Sequence, residues 1–375
     1  MKVVLDIGGG LIRAGFAGNS EPRLEISNCL ARGKREKRVV TGDKISSMPS
    51  YLILRPLRRG IVTDWESLKL ILDLEIFCRN QRGGLGVVDR LQEISMFFTM
   101  TPFAPDASIR EAKSVFLEDF KIKNIEIMTS SICALFSPGL NCHDENPCAL
   151  IVDCGFSGFR CIPIFEASPI SGATQRGSVG GRVMINFLKE LLSFTQVDLE
   201  DTPLLVQRIM EITCFVTAKN EYPDSPVRIL LPDYSERTQP VIMDDLKFPG
   251  PGETVVKMNR ERWVVPEILF NPEISGIKEC GIAEAAARAI FAAPEKLRHL
   301  ISRKIILCGG CVNLPGFKER FLSELESEIP QTWKFQVFVE NDGRADLSIY
   351  RGAVALAGSD ESLSKKFSRL EYLGM

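Results

Sequence analysis

The chain has 375 residues, of which 45% are hydrophobic and 25% charged, the ordinary make-up of a soluble globular protein. Its 46 basic and 48 acidic side chains leave a formal charge of −2, which excludes any global field drawing it to nucleic acid or to an anionic membrane. The length is more than one ordinary core holds and predicts two domains. No apolar run reaches the roughly eighteen residues of a membrane span, and the first residues do not read as a secretory leader, so an intracellular setting is expected.

The first element is a strand, a tight turn and a returning strand over Val3 to Gly18, with Asp6 at the end of the first strand and Gly8, Gly9 and Gly10 in the turn. A turn without side chains lets backbone N–H groups approach an anion. Arg32, Lys34, Arg35, Lys37 and Arg38 form a basic run, followed by Arg55, Arg58 and Arg59. Such a run reads as a solvated loop, as a nuclear-import signal or as a contact to nucleic-acid phosphates. Asp64 opens a helical pattern that carries Trp65, Leu68, Ile71, Leu72 and Ile76 on one side. A buried strand is expected at Ile94 to Met100, and a capping box at Ser108 to Glu111 opens the next helix.

A short strand (Ile125 to Met128) and an apolar helix (Ser130 to Ser137) lead to a loop over Asn141 to Pro147, which makes 130 to 147 the expected junction between domains. The opening device then recurs: ALIVDCGFSGFRCIPIF at 149–165 sets Asp153, Gly155, Ser157 and Gly158 in the same order, and Arg13 and Arg160 follow their aspartates at equal spacing. Two such hairpins facing one another offer backbone donors to phosphate oxygens. Their two carboxylates can hold the waters of a hard cation such as magnesium.

Further on, helices are expected at Val183 to Phe194, from Thr202-Pro203 to about Asn220, over Glu279 to Ala293, and over Phe317 to Ile329. Two short strands fall between Asp224 and Gly252. A buried strand from Arg303 to Leu307 runs into Gly309-Gly310, a place where a flat ring can lie against bare backbone, and Leu347 to Leu356 reads as a helix returning to the first domain. The 11 cysteines are odd in number and sit mostly in apolar patterns, so reduced thiols rather than a disulfide framework are expected. Cys308 and Cys311 form a CxxC without a second pair nearby in sequence, a weak zinc signal.

Three glycine-rich turns in the order phosphate, phosphate, nucleoside resemble the actin superfamily, which also includes sugar kinases and heat-shock chaperones. Within it the resemblance to actins and actin-related proteins covers nearly the whole chain. It is carried by LDIGGGLIRAGFAG (5–18), GIVTDW (60–65), IVDCGFSG (151–158), RERWVVPEILFNP (260–272) and IILCGGCVNLPGF (305–317). The resemblance implies an α/β, actin-like ATPase fold: two duplicated domains around a nucleotide cleft, an outer one of residues 1–130 plus 340–375 and an inner one of 131–339.

It further implies ATP and magnesium as cofactors, the metal held through Asp6 and Asp153. Phosphate contacts fall to Gly8, Gly9, Gly10, Leu11 and Arg13 in the first turn and to Gly155, Ser157 and Gly158 in the second. The nucleoside falls to Glu211, Gly309, Gly310, Cys311 and Leu314. Ser130 and Arg160 occupy the places where actins carry a water-positioning glutamine and histidine. Phe156 replaces a metal-ordering aspartate, and Met210 and Ala345 replace basic residues near the nucleoside. No catalytic residue is therefore expected, with a slow ATPase or a cytoskeletal actin-like protein as the alternatives.

The wording of YLILRPLRRG (51–60) and VPEILFNPEISGIKECGIAEA (265–285) resembles a nuclear branch of the actin-related proteins. That branch serves in a chromatin remodeller that deposits a variant histone. The implied partners are an insertion of a Snf2-type ATPase, a small zinc-finger HIT subunit and the nucleosome, in a nuclear location with or without a cytoplasmic pool, and no membrane. The Val39 to Ser50 connection is too short for the loop through which actin protomers grip one another, so no polymer is expected.

Overall fold

The computed structural model describes residues 1–33, 39–42, 45, 51–78, 84–140, 147–233, 239–244 and 248–359. Lys34 to Arg38, most of the Val39 to Ser50 connection, the loop with Cys142 and His143, the end of the LLPDYS turn and the tail after 359 lie outside the described residues.

Two mixed sheets share one plan. In the first half, the hairpin of Lys2–Ile7 and Leu11–Phe16 is extended on one side by parallel strands Ser95–Met100 and Asn124–Thr129, and on the other by Leu24–Ser27. In the second half, the hairpin of Ala149–Gly155 and Gly158–Phe165 is extended by parallel strands Lys304–Cys308 and Gln336–Phe338. The parallel neighbours require long crossovers, and helices fill them. The repeat legible in the sequence is thus a repeat of the whole sheet.

Register explains the matched spacing of aspartate and arginine. Asp6 pairs across its hairpin with Arg13, and Asp153 pairs across its own with Arg160. Cross-strand partners point to one face, so each arginine is delivered beside its carboxylate.

Alternation along the strands feeds two cores. Val3 and Leu5 enter the core of the first half, whereas Val4 and Phe97 enter a shared core with Ile151, Ile162 and Ile306 of the second sheet. Helices Ser130–Leu135 and Ser348–Gly358 supply the middle of that shared core through Ile132, Tyr350 and Ala353. A Cβ at Gly352 would overlap the Cys133 carbonyl, so the close crossing of these two helices depends on glycine. Each large side chain buried there is worth about 2 kcal/mol, and the middle layer fastens both sheets at their hinge side.

Several helix limits differ from the sequence reading. Asp64 caps Trp65–Ile71 by accepting from the Ser67 N–H at 3.0 Å, as its position suggests. The helix assigned a capping box starts earlier, at Asp106, and Ser108 lies inside its first turn with its N–H donated to the Pro105 carbonyl. The helix after Thr202 is Pro203–Thr213 and stops well short of Asn220. There the chain turns extended at Cys214 because Phe215 and Val216 give their N–H groups to Arg262 and Pro315 on neighbouring segments.

Candidate functional site

A cavity of about 400 Å³ opens between the two hairpin turns. Every residue given a ligand contact from the sequence lines it, though Ala345 does not: Asp6, Gly8, Gly9, Gly10, Leu11 and Arg13 from the first hairpin, and Asp153, Gly155, Ser157, Gly158 and Arg160 from the second. Ser130 at the start of the hinge helix, Glu211, and the run Gly309, Gly310, Cys311 and Leu314 complete the wall. Gly309 has φ +97°, and a Cβ there would overlap the Cys154 carbonyl and come within 3.0 Å of Asp153 Oδ1. Only glycine lets this turn lie against the second hairpin.

The floor of the cavity is acidic. Asp6 is buried, accepts a hydrogen bond from Thr99 Oγ1 at 2.5 Å and has an Arg13 nitrogen 3.8 Å away. Burial holds its carboxyl above the usual range against the pull of Arg13 and Thr99. Asp153 is pushed up to about 6 by burial, opposed by Arg160 at 3.8 Å and reinforced by the charge of Asp6. Two buried carboxylates that discourage each other's ionisation fit a hard divalent cation, whose charge would satisfy both.

The two arginines are already engaged. Arg13 donates to Asp346 at 2.6 Å and to Glu25 at 3.2 Å, in addition to facing Asp6. Asp346 also accepts from Asn313 at 2.6 Å and from Arg344, which reaches on to Glu25 at 2.9 Å. Arg160 donates to the Arg59 carbonyl at 2.7 Å, on the far side of the cavity mouth.

Three residues of the site were not selected as contacts from the sequence. Phe156 lies against the first turn, with ring atoms 3.2 to 3.4 Å from where Cβ atoms of Gly9 and Gly10 would stand, and the Arg55 guanidinium sits 4.3 Å above its ring. Asn28 pins that turn from behind: its Nδ2 donates to the Gly8 carbonyl and its N–H to the Gly10 carbonyl, both at 2.8 Å. Asp346 has no motif around it. Only the fold, which ties Ala345 to the Gly309 turn, places it beside Arg13.

The opposite end of the cavity is mostly apolar, with Met184, Ile185, Met210 and Leu314. Glu211 stands at its edge and accepts from Gln207 at 2.9 Å and from Arg208 at 3.1 Å. The Cys311 thiol donates to the Gly155 carbonyl at 3.3 Å, while Cys308 is buried in its strand. The CxxC is thus divided between a loop and a core.

The family model for actin matches residues 1–374. The chain belongs to the actin family. Actin-related protein 6 of Arabidopsis thaliana is 27% identical over 412 residues, an alignment that covers 99% of this chain and 96% of that protein. Actin-related protein 6 of Oryza sativa subsp. japonica is 27% identical, covering 99% of this chain and 95% of its own length. Actin-like protein ARP6 of Yarrowia lipolytica is 27% identical, with 99% and 94% covered. The two-sheet plan and the cleft between its hairpins are those of an actin-family α/β fold, and these relatives mark the chain as similar to actin-related protein 6.

Proposed function

We propose that the chain is a non-polymerising, nuclear actin-related subunit of a chromatin-remodelling complex that exchanges a variant histone, and that it holds ATP with magnesium as a clamp between its halves with little or no hydrolysis. The observation that carries the clamp reading is the filling of the positions that would act on a water. Arg160 is a fixed cation tied to the Arg59 carbonyl, Phe156 is an apolar ring on the first turn, and Ser130 is a short hydroxyl. None of these is a base in reach of a water, and phosphoryl transfer depends on positioning and charge.

The residues that remain fit the ligand. The bare backbones of Gly8, Gly9 and Gly10 and of Gly155 and Gly158 line the cavity where they would meet phosphates, Asp6 and Asp153 where they would meet the waters of a cation, and the apolar end where a base would lie. Magnesium held with the nucleotide would supply the positive charge that offsets both carboxylates. At a hundred times its dissociation constant the bound nucleotide stabilises the fold by about 2.7 kcal/mol without being consumed.

The remodeller reading, with a Snf2-type ATPase, a zinc-finger HIT subunit and the nucleosome as partners, is supported by the wording of 51–60 and 265–285 and by the likeness to actin-related protein 6. The test is to release bound small molecules from the purified chain with acid and identify them. ATP near one per chain supports the clamp; ADP near one per chain makes the chain a slow ATPase instead. No nucleotide, and no binding of added ATP with magnesium, overturns the clamp. Capture from nuclear extract that recovers no remodeller subunit overturns the partner assignment.

A further inference from the structure

Among the described residues, the contacts by which the halves meet over the cavity include the following three. Arg160 of the second hairpin gives a charge-assisted hydrogen bond to the Arg59 carbonyl of the first half at 2.7 Å. The receiving turn is shaped for it. Leu57–Arg58 pairs with Ile61–Val62 around a tip in which Arg59 and Gly60 both have positive φ, +51° and +79°, and a Cβ at Gly60 would run into the Arg160 guanidinium. Such a two-residue turn aims its first carbonyl outward. Asp153, 3.8 Å from the other terminal nitrogen of the guanidinium, steadies Arg160 in that line.

The second contact is the Phe156 ring, wedged between the glycines of the first turn and the Arg55 guanidinium, which also reaches the Gly9 carbonyl at 3.5 Å. The third is apolar: Leu204, at the start of helix Pro203–Thr213, packs on a small cluster of Cys29, Ala31 and Ile45 in the first half. The first two contacts lie at the cavity wall, which Gly60, Phe156 and Arg160 line.

We propose that this cleft is latched by its own side chains, with Arg160 as the latch: a nucleotide enters and leaves only when Arg160 lets go of the Arg59 carbonyl. The last clause rests on the nucleotide reading above; the latch itself does not. Arg160 thereby stands where actins carry a water-positioning histidine and serves closure in its place. Any opening breaks all three contacts together, since they join the same two bodies. Retention of ligand then follows from closure as well as from contacts to the base.

The test compares the wild-type chain with Arg160→Ala and Gly60→Ala, all ligand-free. Gly60→Ala is the control for folding effects at Asp153, because it pushes the guanidinium off the turn while leaving it beside the carboxylate. Amide hydrogen exchange is read at residues 59–63 and 157–160. A latch worth one charge-assisted hydrogen bond predicts exchange at least about tenfold faster in Arg160→Ala and in Gly60→Ala at both segments. Unchanged exchange at 157–160 in the two variants overturns the latch. Release of a fluorescent ATP analogue with magnesium is then chased with unlabelled ATP. Release about tenfold faster in both variants supports control by Arg160, and equal release overturns it. If the wild-type chain binds no analogue, the nucleotide reading fails while the exchange result still decides the latch.

Discussion

Arg13 and Asp346 meet at 2.6 Å, the first at the end of the opening hairpin and the second far along the chain, beside the turn that would hold a nucleoside. The contact closes a group of charges, Arg13, Glu25, Asn313, Arg344 and Asp346, that ties both ends of the cavity to one another. Burial alone would raise the Asp346 carboxyl, but the hydrogen bond from Arg344, the charge of Arg13 and the hydrogen bond from Asn313 hold it below the usual range. Asp346→Asn is expected to cost about 3 kcal/mol at pH 7, because it leaves a buried guanidinium short of one anion. A carboxyl with a lowered folded pKa stabilises above its unfolded value and loses that contribution as the pH falls through the folded one. The gap between variant and wild type should therefore stay constant down to about pH 4 and close only below it. Denaturant titrations across that range check both statements; a gap that shrinks between pH 7 and 5 would show another group at work.

Gly309→Ala tests the fit of the nucleoside turn to the second hairpin. At φ +97° with the Cys154 carbonyl in the way, alanine faces both backbone strain and overlap with a main-chain atom that has nowhere to go. A loss of about 3 kcal/mol is expected from the two together. Gly310, whose Cβ would meet nothing within 4 Å, is the control, and Gly310→Ala should cost under about 1 kcal/mol. Equal losses at the two positions, measured by the midpoint of urea unfolding, would contradict the overlap argument.

How much of this was legible depends on the range of the signal. The two hairpins and their equal spacing from aspartate to arginine are local patterns, and register turned them into matching geometry at Asp6–Arg13 and Asp153–Arg160. Glycine turns mark themselves because few residues adopt their backbone, so the lining from Gly8 to Gly10 and at Gly309 followed from sequence. What did not follow were partners brought from afar. Asp346 reaches Arg13 across most of the chain, Asn28 reaches back to Gly8, and Arg55 meets Phe156 from the opposite half. No periodicity records such meetings. The helix after Pro203 was read too long for a similar reason, since its apolar pattern continues past Thr213 while two hydrogen bonds to other segments pull the backbone away.

Asn28 gives a test of how firmly the first turn must be held. Its side chain supplies one buried hydrogen bond to the Gly8 carbonyl, while its backbone bond to Gly10 survives any substitution. Asn28→Ala should lower stability by about 1 to 2 kcal/mol, the cost of a carbonyl left unpaired in a buried place. Asn28→Asp should be worse, because a carboxylate offers no donor to that carbonyl when ionised and adds a buried charge. Thermal unfolding of the three proteins in parallel gives the order; an aspartate variant as stable as wild type would mean that the Gly8 carbonyl finds a donor elsewhere.

The cation is the remaining question, and Asp153 separates its role from that of the phosphates. In the ligand-free chain Asp153→Asn removes a charge that burial and Asp6 oppose but also takes from Arg160 the anion beside it, so the two effects offset and stability at neutral pH should stay within about 1 kcal/mol of wild type. With ATP at about a hundred times its dissociation constant, wild type should gain about 2.7 kcal/mol in magnesium and lose much of that gain to a chelator. The variant should show a smaller gain that the chelator hardly alters, because the phosphate-facing backbone is intact while one anchor of the metal's waters is gone. Differential scanning fluorimetry with four combinations of ATP and chelator reads these differences directly. An equal response to the chelator in both proteins would place the cation away from Asp153 and leave Asp6 as its sole candidate carboxylate between the hairpins.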